Sequence, residues 1–381
     1  MLTAPKVKIC IVSPSEQGGG AEYQISLLID SLVASNRYEV HYLAHFLDES
    51  ARARNYQTLR IGAGGAVPSM GYLMEARSLY SALREIDPRV IYQRVACAYT
   101  GICAWYSLRQ SVPLVWHVAS DTDLSSSSLD AGRNFLRLRL EKWAVEYGIR
   151  NATRIVAQTR RQVHLLQENY GRNAHTVIGN FHPAGLGSLD KGGPLTVVWI
   201  GNLKPWKRPD AFVRLAQRLT ICRQVRFVMI GAPAADSRNQ SWQRPLMHSI
   251  ESTPNLEYWG QKSHTEVNEL LDRSHIIVNT STHEGFPNTF IQAWLRGVAV
   301  VSLQVDPDEV LERQHLGIAA QSEEGLVEAV RRLIENADAR ADYALRGRKH
   351  ASANHSLRNA EDLMRVIDGC AADSVGLPVN S

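Results

Sequence analysis

Residues 282–294 read THEGFPNTFIQAW. A carboxylate, Glu284, stands before Gly285, Phe286 and Pro287, and Phe290, Ile291, Ala293, Trp294 and Leu295 follow with helical spacing. The pattern predicts a short helix ended by Gly297. HIIVNTS (275–281) upstream and AVVSL (299–303) downstream read as buried strands. Glu284 thus falls in the loop at the carboxyl end of a strand, just before a helix N-terminus. Such an end offers unpaired N–H groups and a partial positive charge, and it binds phosphate. The dipole contributes about 0.3–1 kcal/mol when exposed and up to about 2 kcal/mol when partly buried. A carboxylate beside that anion site does not bind phosphate. It accepts hydrogen bonds from hydroxyls attached to the phosphate, which means a sugar. The same position also suits an acid that caps the helix, and the local pattern leaves both readings open.

The elements that position this loop come from a chain of 381 residues, which at roughly 100–200 residues per domain implies about two domains. With 44% hydrophobic and 21% charged residues the composition is that of a globular protein with ample core. A net charge of +4, with no Lys/Arg run interleaved with aromatics, argues against nucleic acid as a partner. Cys10, Cys97, Cys103, Cys222 and Cys370 are scattered and form no CxxC pair, which disfavours structural zinc and a disulfide framework and fits a reducing compartment. The N-terminal apolar run, Ile9 to Val12, is shorter than the roughly 7–15 residues of a signal-peptide core. No stretch approaches the ~20 apolar residues of a membrane span. The expected location is the cytoplasm, with at most a peripheral membrane contact.

Strand-like runs alternate with helical segments. VKICIVS (7–13) leads into glycines and a helical pattern (Ile25, Leu28, Ile29, Leu32); EVHYLAHF (39–46), VIYQRV (90–95), PLVWHV (113–118), TRIVAQT (153–159) and HTVIGNF (175–181) continue the series. SLDKGGP (188–194) reads as an interdomain linker. The alternation restarts with LTVVWIG (195–201), VRFVMIG (225–231) and NLEYWG (255–260), then the strands around Glu284, with helices over 325–336 and 354–366. The expectation is α/β: two doubly wound, Rossmann-like domains with an interdomain cleft, at 1–187 and 188–353. A helix over 354–370 then returns to the first domain, and 371–381 form a flexible tail. No short-period repeat is visible.

The segment EGFPNTFIQAWLRGVAVVS resembles the donor-binding signature of the GT-B glycosyltransferases, specifically the retaining family 4. VVWIGNLKPWKRPD is similar to the family's V-G-R-L-x-x-x-K-G segment, VRFVMIGAP to its L-x-I-x-G-x-G-P, and NLEYWGQKSHTEVNELLDRSHIIVNTS to the pattern between them and the signature. SEQGGGAEYQISLL resembles its N-terminal G-G-A-E motif. Each motif alone is weak. Five in order, over about residues 7–368, are a specific signal. The fold implied is GT-B, and the activity implied is transfer of a sugar from a nucleotide diphosphate-sugar to a hydroxyl, with retention at the anomeric carbon.

The resemblance assigns roles residue by residue. Glu284 would contact the sugar hydroxyls. The amides of Gly285, Phe286, Asn288 and Thr289 would hold sugar and diphosphate, and Pro287 has no N–H to give. Lys207 would pair with the diphosphate. His117 would lie under the sugar, although a satisfied histidine at a strand end is the bland alternative. Gly18, Gly19 and Gly20 would form a loop that lets the backbone approach donor and acceptor. Gly260, Gln261 and Lys262 would meet the base. Trp206 and Trp259 are read either as cover for the donor or as packing.

Two departures stand out. The family's Arg in G-R-L is Asn202 here, with Lys204 or Arg208 as candidate replacements. Its second Glu is Gln292, which can still bind a ribose but without charge assistance. Neither metal nor cofactor is expected. Asp121-Thr122-Asp123 and Asp306-Pro307-Asp308 spell DxD, a metal motif of another fold; a loop over 121–128 in which Asp121 and Asp123 accept hydrogen bonds from acceptor hydroxyls is the preferred reading. The segment 131–150, AGRNFLRLRLEKWAVEYGIR, reads either as a solvated basic helix or as a contact with an anionic membrane. The acceptor implied is a saccharide or lipid-linked saccharide of bacterial surface-polysaccharide synthesis. The alternatives are a catalytically silent nucleotide-sugar-binding protein and a GT-B-type epimerase or phosphorylase.

Overall fold

The computed structural model describes residues 5–16, 18–48, 54–62, 71–125, 135–185, 187–221, 224–233 and 240–373. Residues 126–128 of the expected acceptor loop, 131–134 of the basic segment, Cys222 and the last eight residues of the tail lie outside these. The chain divides into two compact units, one of residues 1–180 with 357–381 and one of Phe181–Ser356.

The first unit runs β1 (Val7–Ser15), α1 (Gly20–Ala34), β2 (Tyr38–Phe46), β3 (Gln57–Arg60), α2 (Ala76–Ile86), β4 (Val90–Arg94), α3 (Ala98–Gln110), β5 (Leu114–His117), α4 (Phe135–Asn151), β6 (Arg154–Ala157), α5 (Arg160–Tyr170) and β7 (Thr176–Val177). All seven strands pair in parallel, in the order β3-β2-β1-β4-β5-β6-β7. Parallel strands covered by helices on both faces must be apolar throughout, and this explains runs such as Ile9-Cys10-Ile11-Val12, none of it exposed. Gly101 and Gly148 let α3 and α4 meet: a Cβ at Gly101 would sit 2.3 Å from the Ala144 carbonyl oxygen. The C-terminal helix Arg358–Asp373 belongs to this unit. Its Asp368 accepts hydrogen bonds from Tyr38 Oη and, at 2.7 Å, from Arg37.

The second unit runs β8 (Leu195–Ile200), α6 (Pro209–Arg218), β9 (Val225–Ile230), α7 (Gln240–Glu251), β10 (Leu256–Tyr258), α8 (His264–Arg273), β11 (Ile276–Asn279), α9 (Asn288–Leu295), β12 (Ala299–Ser302), α10 (Val310–Arg313), β13 (Gly317–Ala319), α11 (Glu323–Glu335) and α12 (Ala337–Asn354). Its six parallel strands take the order β10-β9-β8-β11-β12-β13. Both sheets are Rossmann-like. The glycine-rich stretch 188–194 lies inside this unit, and the chain passes from one unit to the other earlier, after Asn180. The composition suggested a linker, but Lys191 Nζ donates to the Leu271 carbonyl at 2.7 Å and ties the stretch down.

The sequence passed over β3, β13 and α12. β3 is a mostly exposed edge strand with no apolar alternation, β13 has three residues, and α12 buries only Ala344, Gly347 and Ala351. A Cβ at Gly347 would meet the Trp294 ring at 2.2 Å, so α12 packs on α9 through a glycine. Among the described residues no helix is long and apolar enough to cross a membrane. The four described cysteines are free thiols.

Candidate functional site

In the second sheet β8 and β11 are neighbours, with Ile276 opposite Val197 and Ile277 opposite Val198. Strand order reverses between them, so the loops at their carboxyl ends diverge and open a crevice. Lys207 lies in the loop after β8 and Glu284 in the loop after β11.

The two side chains form an ion pair, Lys207 Nζ donating to Glu284 Oε1. Ser281 Oγ donates to the same oxygen at 2.8 Å. No protein donor engages Glu284 Oε2 among the described residues, so it remains an acceptor. Of the ammonium's three N–H donors, one serves Glu284 and two remain for other acceptors.

The loops are laced together from below. Trp199 Nε1, on β8, donates to Thr280 Oγ1 at 2.8 Å, and Thr280 Oγ1 donates to the Lys207 carbonyl at 2.6 Å. Thr282 N donates to the Trp206 carbonyl at 2.8 Å. Trp206 and His283 stack with centroids 6.3 Å apart. Thr280 is fully buried. It fixes the backbone from which Lys207 projects.

Helix α9 opens behind Glu284, with Pro287 at its N-cap and no side chain capping it. The capping role left open for Glu284 is thereby excluded, since its bonded oxygen serves Lys207 and Ser281. The other end is closed: Arg348 Nε donates to the Leu295 carbonyl at 3.2 Å, and Gly297 takes φ +65°. The positive end of the dipole faces the crevice loop, and the negative end is met by a cation. Asn288 Oδ1 lies 3.3 Å from His182 Nε2, and the His182 N–H donates to the His355 carbonyl at 2.9 Å. Phe286 packs on the His355 ring with centroids 4.6 Å apart. Burial holds the His182 imidazole neutral, down at about 3.

Gly260, at φ +66°, accepts from Gly231 N at 2.9 Å. A Cβ at Gly231 would stand 1.8 Å from the Gly201 carbonyl oxygen, so only glycine lets the ends of β8 and β9 approach this closely. Gln261 is exposed, and Lys262 pairs with Glu266 at 3.0 Å.

In the first unit, Gly18 (φ +124°), Gly19 and Gly20 carry the chain from β1 into α1, whose N-terminus has no side-chain cap. Glu16 anchors the approach by accepting from Asp48 N and Arg54, both at 2.7 Å. His117 ends β5, fully buried, with Nδ1 2.9 Å from Tyr92 Oη. Burial and the nearby Arg94 charge hold it well below the ordinary histidine range. Asp121 accepts from Arg161 at 3.0 Å and from Gln162 at 3.2 Å. Asp123 accepts from the N–H groups of Ala119 and Ser120 at 2.8 and 3.1 Å, while burial raises its pKa. Both carboxylates therefore have local structural partners.

Residues 18–182 match the family described as Glycosyltransferase Family 4, and residues 194–336 match Glycosyl transferases group 1. The chain belongs to the family 4 glycosyltransferases. Solved structures show the same GT-B fold. A sucrose-phosphate synthase from Thermosynechococcus elongatus aligns at TM-score 0.77 and 15% identity, over 97% of this chain and 100% of that one. HepE of Anabaena in complex with UDP-glucose aligns at 0.75 and 18%, over 95% and 99%. WaaG, a glycosyltransferase involved in lipopolysaccharide biosynthesis, aligns at 0.75 and 13%, over 95% and 100%. No curated protein sequence matches the chain significantly. The protein is a glycosyltransferase of GT-B type.

This glycosyltransferase departs from its family's motif in ways the structure makes concrete. Arg208 takes a left-handed conformation (φ +46°) where the family has glycine, and its guanidinium pairs with Glu323, which Arg214 also binds at 2.8 Å. Arg208 is thus already paired and does not stand in for the arginine replaced by Asn202. Lys204 sits 5.0 Å from the Trp206 ring centroid. Gln292 is buried and donates to Asn268 Oδ1 at 3.2 Å. The glycosyltransferase's supporting residues Trp199, Thr280, Ser281 and His182 escaped the sequence reading. The polar run Asn279-Thr280-Ser281-Thr282 straight after a buried strand was the signal available for two of them.

Proposed function

We propose that the protein transfers a sugar from a nucleotide diphosphate-sugar to a hydroxyl acceptor with retention at the anomeric carbon. The observation that carries the reading is the Lys207–Glu284 pair at the switch point beside the uncapped N-terminus of α9. Lys207 and the α9 amides hold the diphosphate. Glu284, through Oε2, accepts from a sugar hydroxyl. As the C1–O bond to phosphate breaks, negative charge grows on the leaving diphosphate, and this is the charge that Lys207 and the helix end stabilise. The acceptor oxygen bonds to C1 from the same face, and its proton passes to the leaving phosphate oxygen. No cofactor or metal is part of this scheme. Gly260, Gln261 and Lys262 serve the base, Gln292 the ribose, and the first unit the acceptor.

A saccharide or lipid-linked saccharide acceptor fits the company of WaaG, a glycosyltransferase involved in lipopolysaccharide biosynthesis. Helix α4 supports a peripheral contact with anionic lipid at the cytoplasmic face: Leu138, Leu140 and Trp143 are exposed alongside Arg139 and Arg150. The test is release of UDP, GDP or ADP from a panel of sugar nucleotides, with and without saccharide acceptors. Turnover of one donor identifies base and sugar. Nucleotide binding without turnover under any condition would favour the silent binder.

A further inference from the structure

Trp206 precedes Lys207 in the loop after β8, and His283 precedes Glu284 in the loop after β11. Each half of the ion pair therefore has an aromatic neighbour, one from each loop of the switch point. The two rings lie 19° from parallel with centroids 6.3 Å apart, too far for full overlap, so they form a stepped flat surface. Thr282 sets the attitude of both. Its N–H and its hydroxyl donate to the Trp206 carbonyl at 2.8 and 3.3 Å, and the hydroxyl oxygen lies 2.9 Å from His283 Nδ1. Lys204 Nζ stands over the Trp206 ring and, among the described residues, makes no ion pair.

A single exposed aromatic is ordinary. Here two are held side by side from two loops, at the outer edge of a site whose exposure rises outward. Thr280 is fully buried, the Glu284 and Lys207 side chains are 18% and 25% exposed, and Trp206 is 40% exposed. The edges of the surface are polar and complementary. Because the Thr282 hydroxyl gives its proton to the Trp206 carbonyl, it accepts from His283 Nδ1–H, and the neutral imidazole then offers Nε2 as an acceptor. Trp206 Nε1–H is a donor. Among the described residues neither nitrogen meets a protein partner. An aromatic face carries negative charge, which C–H bonds polarised by adjacent oxygens complement. A pyranose ring supplies both features: a face of C–H bonds and a rim of hydroxyls that donate and accept.

We propose that Trp206 and His283 form a stacking subsite for a pyranose ring, with Trp206 Nε1 donating to an oxygen of that ring's rim and His283 Nε2 accepting from a hydroxyl. This rests on the reading of Glu284 as a partner of sugar hydroxyls. It adds a substrate class, a sugar with one face free of axial hydroxyls, and two residues that select it. The ring belongs either to the donor or to a saccharide acceptor, and the two sources are separable.

The test uses the full chain, with the methyl pyranosides of glucose, galactose and N-acetylglucosamine as probes in saturation-transfer NMR. The variants are Trp206→Leu, Trp206→Phe and His283→Ala, with the exposed Trp105 of the first unit as control in Trp105→Leu. The expected pattern is saturation concentrated on the protons of one sugar face, kept in Trp105→Leu, reduced in Trp206→Phe and His283→Ala, and lost in Trp206→Leu. No saturation with the wild type overturns the proposal, as does saturation undiminished in Trp206→Leu or lost in Trp105→Leu. If Trp206→Leu does not fold, Trp206→Phe and His283→Ala decide. Calorimetry with UDP, GDP and ADP and their glucose conjugates finds the source. Affinity for the conjugate that falls about five- to tenfold in Trp206→Leu, with the bare nucleotide unaffected, assigns the ring to the donor. Unchanged donor affinity with a KM for saccharide acceptor raised by a similar factor, and kcat kept, assigns it to the acceptor. No change in either arm overturns the proposal, and so does weakened binding of the bare nucleotide, which would put the base on the platform. Absence of all nucleotide binding from the wild type would sink the donor reading and leave the pyranoside result standing.

Discussion

Lys207 and Glu284 lie 77 residues apart in the chain and share a hydrogen bond at the carboxyl ends of two adjacent strands. The pair joins a cation suited to a diphosphate with a carboxylate suited to sugar hydroxyls. Ser281 Oγ donates to the same Glu284 oxygen at 2.8 Å and steadies the pair.

Glu284→Gln keeps the shape but removes the charge that pairs with Lys207. Turnover is expected to fall about a hundredfold, equivalent to about 2.7 kcal/mol of barrier. Steady-state nucleotide release measures it. An unchanged rate would reduce Glu284 to a positioning partner of Lys207.

Thr280→Val removes the hydroxyl between Trp199 Nε1 and the Lys207 carbonyl. The isosteric change leaves a buried indole N–H unmatched, so stability should drop by about 1–3 kcal/mol. Donor affinity should fall with it, because Lys207 loses its backbone support. Urea denaturation and nucleotide calorimetry read the two effects. A stable variant with normal affinity would contradict the relay.

Gly231→Ala would press a methyl against the Gly201 carbonyl. The expected cost is about 1–3 kcal/mol. The strain falls on the loops that lead to Asn202 and Gly260, so a weakened nucleotide site should accompany the lower melting temperature. A variant that melts like the wild type would show that β8 and β9 separate freely.

His182 gives the stability a pH dependence of known sign. Its pKa drops from about 6.5 to about 3 on folding. The unfolded chain therefore binds a proton below pH 6.5 that the folded chain refuses. The contribution is intact above that pH and is lost as pH falls toward 3, at a limiting slope of about 1.4 kcal/mol per pH unit. Buried His117 acts in the same direction. His182→Asn retains an amide donor for Asn288 and should flatten the loss between pH 6.5 and 5, as read from urea midpoints. An unaltered slope would assign the acid sensitivity to other groups.

The exposed Trp143, stacked on Tyr147 at 5.8 Å, is the test point for membrane contact. The protein should co-sediment with anionic vesicles, be released by salt, and bind several-fold less after Trp143→Ala or Arg139→Glu. Equal binding to neutral vesicles would remove the electrostatic part of the reading.

Most of the fold was legible because buried parallel strands and amphipathic helices announce themselves by composition and period. Ile9–Val12, Val197–Trp199 and Ile276–Val278 could hardly be anything else. β3 and α12 were not legible, since one is an exposed edge and the other packs through Ala and Gly and shows no apolar stripe. Glu284, Lys207 and the glycine loops were visible as motif members. Their supports were not: Thr280 and His182 act through single hydrogen bonds, which leave no periodic trace.

The amino-acid sequence by itself determined two αβ halves, the loop that carries Glu284 at a strand end and the family to which both belong, because local period and residue order encode these directly. Only the tertiary structure decided that Glu284 pairs with Lys207 and does not cap α9, that Arg208 is held by Glu323, that the Asp121 and Asp123 carboxylates have structural partners, and that Trp206 and His283 meet side by side. Each of these depends on strands that are neighbours in the sheet but distant in the chain, and strand order is fixed by how the helices cover both faces, not by any run of residues.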